Sequence, residues 1–216
     1  MTSIGHIQLM TLVKICGITN LEDAVAAAEA GADMLGFNFY THSPRYIKPA
    51  DAASIIQKLP RFVLSIGVFV NEPDPGNVQR IVYESGVGAV QLHGDETPEY
   101  CAELSGHPII RAFRTRDAFS AEEVLTFPVF GVLLDSFHAT ARGGTGHVAN
   151  WDMAIRVREL VPRLFLAGGL GPLNIVDAIT AVRPYGVDAC SLLEQTPGKK
   201  NATLVREFVS LAKSVK

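Results

Sequence analysis

Disulfide chemistry, metal-ligand spacing and membrane-spanning length are what this chain has least of. Its 216 residues include three cysteines, Cys16, Cys101 and Cys190. An odd number with no CxxC spacing excludes a disulfide framework and suits a reduced, cytoplasmic protein. The histidines His6, His42, His93, His107, His138 and His147 are scattered, with no HExxH or similar pattern, so the sequence calls for no metal. No apolar run approaches the roughly 18 residues of a membrane span, which gives no reason to expect a membrane partner. The N-terminus lacks the basic and apolar regions of a signal peptide. A formal charge of −3 and a pI near 6.1 give no electrostatic reason to expect nucleic acid. Any phosphate must therefore be held locally, by backbone groups. Linkers, low-complexity segments and charge blocks are also missing.

What the chain does have is alternation. Apolar strand-like runs and amphipathic helix-like segments follow one another from end to end. Strands are expected at Leu12–Ile15, Met34–Phe39, Phe62–Val70, Gly88–Leu92, Ile109–Phe113, Phe130–Leu134, Leu164–Ala167 and Val187–Ala189. Between them lie helical stripes such as Leu21, Val25 and Ala28; Val78, Ile81 and Val82; and Ile175, Val176, Ile179 and Val182. Cap signals mark their starts: Thr19 or Asn20, with Glu22 completing a capping box; Asp74-Pro75; Thr97-Pro98; Ser120 with Glu123; and Pro172. A short helical turn is expected over Leu192 to Gln195. Helix-ending glycines recur at Gly31, Gly86 and Gly186. Eight strictly alternating units predict a single α/β domain, a (β/α)₈ TIM barrel with a parallel eight-stranded core over residues 12–216, behind an extension of residues 1–11. Met10 is an alternative start to Met1. An open doubly wound sheet is the structural alternative.

In such barrels chemistry lies at the C-terminal ends of the strands. Cys16, Arg45, His93, Asp135, Gly168-Gly169 and Cys190-Ser191 all follow strand ends. Taken singly, each has a plain structural use: a small buried thiol, a surface cation, a satisfied loop histidine, a loop cap. Cys16 stands where a strand meets a helix start, a setting that lowers a thiol's pKa. Gly168-Gly169 leaves backbone N–H groups open to an anion, and Cys190-Ser191 precedes the short helical turn. Loops after the seventh and eighth strands are a recurrent phosphate site in this architecture. Gly143-Gly144-Thr145-Gly146 lacks the Gly-Lys-Ser/Thr ending of a P-loop and reads as a flexible loop over the site.

The chain resembles the phosphoribosylanthranilate isomerase family of tryptophan biosynthesis. The resemblance runs through VKICGIT (13–19), GADMLGFNFY with SPRYI (31–47), GVFVNEP (67–73), VQLHGDE (90–96), LLDS (133–136), GGTG (143–146), LAGGL (166–170), RPYGVDA (183–189) and PGKKN (197–201). It implies an Amadori rearrangement, in which the aminoaldose N-(5-phosphoribosyl)anthranilate becomes 1-(2-carboxyphenylamino)-1-deoxyribulose 5-phosphate. No cofactor or metal is implied, and the partner is a small phosphorylated substrate. Asp135 matches the general acid that protonates the ribose ring oxygen; its reference pKa of about 3.9 must be raised for that task. Cys16 matches the general base that takes the C2 proton from the Schiff base. Arg45 matches the arginine that faces the anthranilate carboxylate, and His93 lines the same region. Gly168, Gly169, Cys190 and Ser191 would hold the phosphate, and Asp188 matches an aspartate near the site.

Two departures stand out. Cys190-Ser191-Leu192-Leu193-Glu194 replaces the usual Ser-Ser-Gly-Val-Glu, putting a side chain where the phosphate loop normally has none. Asn201 replaces a common Asp, a change that preserves helix capping. Two other functions stay open at this point: an isomerase of the related bisphosphorylated aminoaldose of histidine biosynthesis, and a non-catalytic phosphate-ligand-binding barrel. Whether the molecule is a monomer or a homodimer is not written in the sequence.

Overall fold

The computed structural model describes residues 10–115, 119–135 and 151–215. The glycine-rich loop at 143–146, His138 and His147, and residues 1–9 of the expected extension lie outside the described residues.

Eight parallel strands close on themselves in sequence order: β1 (Leu12–Cys16), β2 (Met34–Asn38), β3 (Leu64–Phe69), β4 (Ala89–Leu92), β5 (Ile109–Arg114), β6 (Gly131–Asp135), β7 (Leu164–Ala167) and β8 (Gly186–Ala189). Pairing of β1 with both β2 and β8 rules out the open sheet. The helices outside are α1 (Leu21–Glu29), α2 (Pro49–Ile56), α3 (Pro75–Ser85), α4 (Pro98–Glu103), α5 (Asp152–Leu160), α6 (Ile175–Val182) and α7 (Ala202–Ser214), with a 3₁₀ helix, Ala121–Thr126, between β5 and β6. After β8 come a 3₁₀ turn, Ser191–Leu193, and a small antiparallel pair, β9 (Glu194–Thr196) and β10 (Lys199–Lys200). Among the described residues no helix is long and apolar enough to cross a membrane.

Burial splits the strands by parity. One set of side chains packs outward against the helices, including Val13, Ile15, Leu35, Phe37, Val187 and Ala189. The other fills the barrel, with Met34, Ile66, Ala89, Ile110, Ala112, Leu133, Phe165 and Ala167. Phe165 occupies the space left by two glycines. A Cβ at Gly186 would lie 2.6 Å from its ring, and one at Gly131 would lie 3.0 Å from it. Truncating such a fully buried ring costs about 3–5 kcal/mol.

Local chemistry shifts several expected boundaries. Asn20, not Thr19, caps α1: its Oδ1 accepts from the Asp23 N–H at 2.9 Å and its Nδ2 donates to the Asp23 carboxylate at 2.8 Å. Thr19 instead donates to the Gly198 carbonyl, and Glu22 pairs with Lys199. Ala24, Ala27 and Ala28 form the buried face of α1, while Val25 is only partly covered. The Ser120 hydroxyl caps through the Glu122 N–H rather than pairing with the Glu123 side chain, and a 3₁₀ helix follows. Pro172 precedes α6 without starting it, because the Asn174 side chain engages the Gly169 carbonyl and the Gly171 N–H and holds the loop open until Ile175. Val176 consequently faces outward and Ala178 takes the buried position. Phe62 and Phe130 fall outside their strands and are exposed. The helical turn expected over Leu192 to Gln195 is the 3₁₀ turn Ser191–Leu193, and Glu194 already belongs to β9. The Asp74, Thr97 and Asn201 caps form as expected.

Candidate active site

Two ionisable groups of opposite sign meet inside the barrel just below its mouth. Lys14 and Asp188 are register partners on β1 and β8, and the Lys14 ammonium donates to both Asp188 carboxylate oxygens at 3.0 Å. Lys14 is fully buried. Burial works against its charge, but Asp188 and Cys16 more than offset that and hold it above the usual lysine range. For Asp188, burial pushes the carboxyl up to about 7 against the pull of Lys14. A buried ion pair is weak evidence for stability, so its position two residues below each of two thiols is the informative fact.

Those thiols are Cys16 and Cys190. Side chains two apart on a strand share a face, which places Cys16 above Lys14 on β1; Cys190 immediately follows β8. The neighbouring Cys190 thiol, with Lys14 and Lys200 helping against the effect of burial, holds Cys16 well below the ordinary thiol range, and the Cys190 sulfur lies 3.8 Å from Glu194 Oε1. Cys16, with burial, pushes Cys190 up. Gly36, the register partner of Cys16 on β2, makes the room: a Cβ there would lie 2.7 Å from the Cys16 sulfur and 3.1 Å from the Lys14 nitrogen. Gly17, with φ of 79°, turns the chain immediately after the thiol.

Arg45 reaches the same wall from the loop after β2. Its guanidinium is clamped by Glu194, with Nε 2.9 Å from Oε1 and one terminal nitrogen 2.6 Å from Oε2. Lys200 completes the cluster, 2.9 Å from Glu194 and 3.7 Å from the Cys190 sulfur. The arginine is thus held by a carboxylate of this chain, and Glu194 and Lys200 join the site unforeseen.

Across the mouth stand Asp135, at the end of β6, and His93, at the end of β4. His93 Nε2 lies 3.9 Å from Asp135 Oδ2. The Gln91 side-chain amide lies 2.8 Å from His93 Nδ1; as its donor, it leaves the ring proton on Nε2, facing Asp135. Gly168 and Gly169 follow β7 with φ of 94° and 65°, a conformation that favours glycine and turns backbone N–H groups outward. Ser191 is exposed beside them at the start of the 3₁₀ turn. Leu192 lies over Gly171, its Cβ 3.2 Å from where a Gly171 side chain would begin, so the loops after β7 and β8 touch through this leucine. Among the described residues no three His, Cys, Asp or Glu side chains are grouped to hold a metal ion.

A closed parallel barrel with ionisable groups gathered at the C-terminal ends of its strands defines the class of (β/α)₈-barrel enzymes. Comparison with known proteins narrows the class. Residues 13–211 match the family model described as N-(5'-phosphoribosyl)anthranilate (PRA) isomerase. The N-(5'-phosphoribosyl)anthranilate isomerase of Trichlorobacter lovleyi is 48% identical over 204 residues, spanning 94% of this chain and 98% of that protein. The crystal structure of phosphoribosyl anthranilate isomerase from Thermotoga maritima superposes with a TM-score of 0.87 at 41% identity, over 95% of this chain and all of that one. A second crystal structure, of phosphoribosyl anthranilate isomerase in complex with reduced 1-(o-carboxyphenylamino)-1-deoxyribulose 5-phosphate, gives a TM-score of 0.86 at 40% identity, over 95% of this chain and 100% of that one. The chain belongs to the N-(5'-phosphoribosyl)anthranilate isomerase family.

Proposed function

We propose that this enzyme, the N-(5'-phosphoribosyl)anthranilate isomerase of tryptophan biosynthesis, works with Cys16 as general base and Asp135 as general acid. The observation that carries the assignment is the Cys16 sulfur seated over the buried Lys14 ammonium and beside Cys190, with Asp135 on the opposite wall. Asp135 gives its proton to the ribose ring oxygen as the ring opens to the Schiff base. That iminium makes the C2 proton acidic, and the Cys16 thiolate removes it. The resulting enolamine tautomerises to the ketone. Lys14 keeps the base anionic without touching the substrate.

Substrate binding follows from the surrounding groups. Gly168, Gly169 and Ser191 offer donors to the 5'-phosphate, with Cys190 and Leu192 forming the adjoining wall. Arg45 clamps the anthranilate carboxylate by exchanging it for Glu194, whose displaced charge stays with Lys200. His93 orients Asp135. The same reading treats residues 12–216 as one catalytic domain, acting on a small phosphorylated substrate in the cytoplasm as a monomer or homodimer. A bisphosphorylated aminoaldose is disfavoured by the loop after β4. There the Gly94 N–H, with the Asn71 N–H from the loop after β3, already donates to the Glu96 carboxylate at 2.9 and 2.8 Å, so those backbone donors are taken and do not hold a second phosphate.

The test is turnover on substrate generated in place from anthranilate and phosphoribosyl pyrophosphate, followed by fluorescence. Cys16→Ala and Asp135→Asn each lower kcat by about a hundredfold or more while the fold, read by circular dichroism, is kept. Near wild-type rates in both variants defeat the assignment.

A further inference from the structure

Cys16 is not alone in reach of an oxidant. The last register pair between β1 and β8 is Ile15 with Ala189, and both of those side chains pack outward into the layer under the helices. The next residue along is a cysteine in each case: Cys16, the last residue of β1, and Cys190, which immediately follows β8. Neighbouring strands lie about 4.8 Å apart, inside the roughly 4.4–6.8 Å between Cα atoms that a disulfide spans. Each thiol acts on the other's protonation, Cys16 being held down and Cys190 pushed up. The Cys190 sulfur lies over the turn that follows Cys16: a side chain on Gly17 would begin 3.0 Å from it and 2.7 Å from the Arg45 side chain. Both residues are partly exposed, whereas Cys101 is fully buried.

We propose that Cys16 and Cys190 are a modification site, a dithiol that a low-molecular-weight disulfide such as oxidised glutathione converts reversibly into an intramolecular disulfide. The Cys16 thiolate attacks one sulfur of the small disulfide, forming a mixed disulfide and releasing one thiolate. That leaving thiolate takes the Cys190 proton. With Cys16 capped, the anion that held the Cys190 proton in place is gone, and the Lys200 ammonium at 3.7 Å stabilises the Cys190 thiolate instead. Cys190 then attacks the Cys16 sulfur and expels the second small thiolate, which is protonated by solvent. In sum two protein thiols are oxidised and one small disulfide is reduced to two thiols. The cross-link stands on its own geometry; its effect on turnover rests on the reading of Cys16 as the base.

The test treats the purified full chain with oxidised glutathione and analyses it by thiol titration and non-reducing peptide mass spectrometry. Free thiols fall from three to one, a Cys16–Cys190 linked peptide appears, and no glutathione remains attached. Turnover falls in proportion to the linked fraction and returns with dithiothreitol. Cys190→Ser stops at a glutathione adduct on Cys16. Three free thiols after treatment, a stable adduct on Cys16 in the wild type, or a link to Cys101 each overturn the proposal. A complete Cys16–Cys190 link with undiminished turnover upholds the cross-link and overturns Cys16 as the base.

Discussion

The wall of the barrel mouth built from β8, β1 and β2 houses its ionisable groups differently from the wall built from β4 and β6. On the first, Lys14 has no exposure, its partner Asp188 has 8%, and Cys16 sits over the pair. On the second, the His93 and Asp135 side chains are 22% and 28% exposed and stand 3.9 Å apart. A thiol must be deprotonated to act as the base proposed for Cys16, and the Cys190 thiol together with the buried Lys14 cation favours that form. An acid that gives up and regains a proton needs contact with the medium and a neighbour able to share it. On the proposed roles, one barrel separates its base from its acid by environment more than by residue type.

The sharpest way to break this contrast is to remove the buried cation. Lys14→Met leaves Asp188 buried without its partner, which costs about 3–5 kcal/mol in urea unfolding. Activity falls by about a hundredfold as the Cys16 thiolate loses its ammonium. Lys14→Met with Asp188→Leu recovers most of the stability and none of the activity, so the two readouts separate. Equal recovery of both would make the pair purely structural. Next in size is Gly36→Ala. The added methyl has no room beside the Cys16 sulfur, and a shift of that atom by about an ångström costs on the order of a hundredfold in kcat, with roughly 1–3 kcal/mol of stability. Smallest is Leu192→Gly, which frees the contact over Gly171 and lowers KM by roughly two- to threefold with kcat unchanged, measured by steady-state kinetics.

Much of this was legible in the sequence. Strict alternation of runs is enough to give the closed barrel, and a thiol or an aspartate at a strand end marks the mouth. Lys14 and Asp188 also carried a signal, each being a charge inside an otherwise apolar strand at an even spacing from a cysteine. What that signal cannot supply is the register that pairs them, because β1 and β8 lie at opposite ends of the chain. The Arg45–Glu194 clamp is hidden for the same reason, spanning 149 residues. Glu194 read as part of a helical turn, and only the hairpin with β10 turns it toward the arginine and Lys200. Where side chains had two options the structure decides: of the two candidate caps Asn20 outcompeted Thr19, while the start expected at Pro172 was wrong because the Asn174 side chain delays α6. Gly36 read simply as a strand residue, since its function is the atom it lacks.

The most direct measurement is an ultraviolet titration of the Cys16 thiolate, taken as the difference between the native chain and Cys16→Ala, and repeated in the Cys190→Ala background. With Cys190 and Lys14 in place, Cys16 titrates well below the free-thiol value of about 8.5. Loss of Cys190 destabilises the thiolate, so the midpoint moves to higher pH, and the acid limb of kcat/KM moves with it. A Cys16 that titrates at or above the free-thiol value, unmoved by Cys190→Ala, would contradict a base tuned by its buried neighbours.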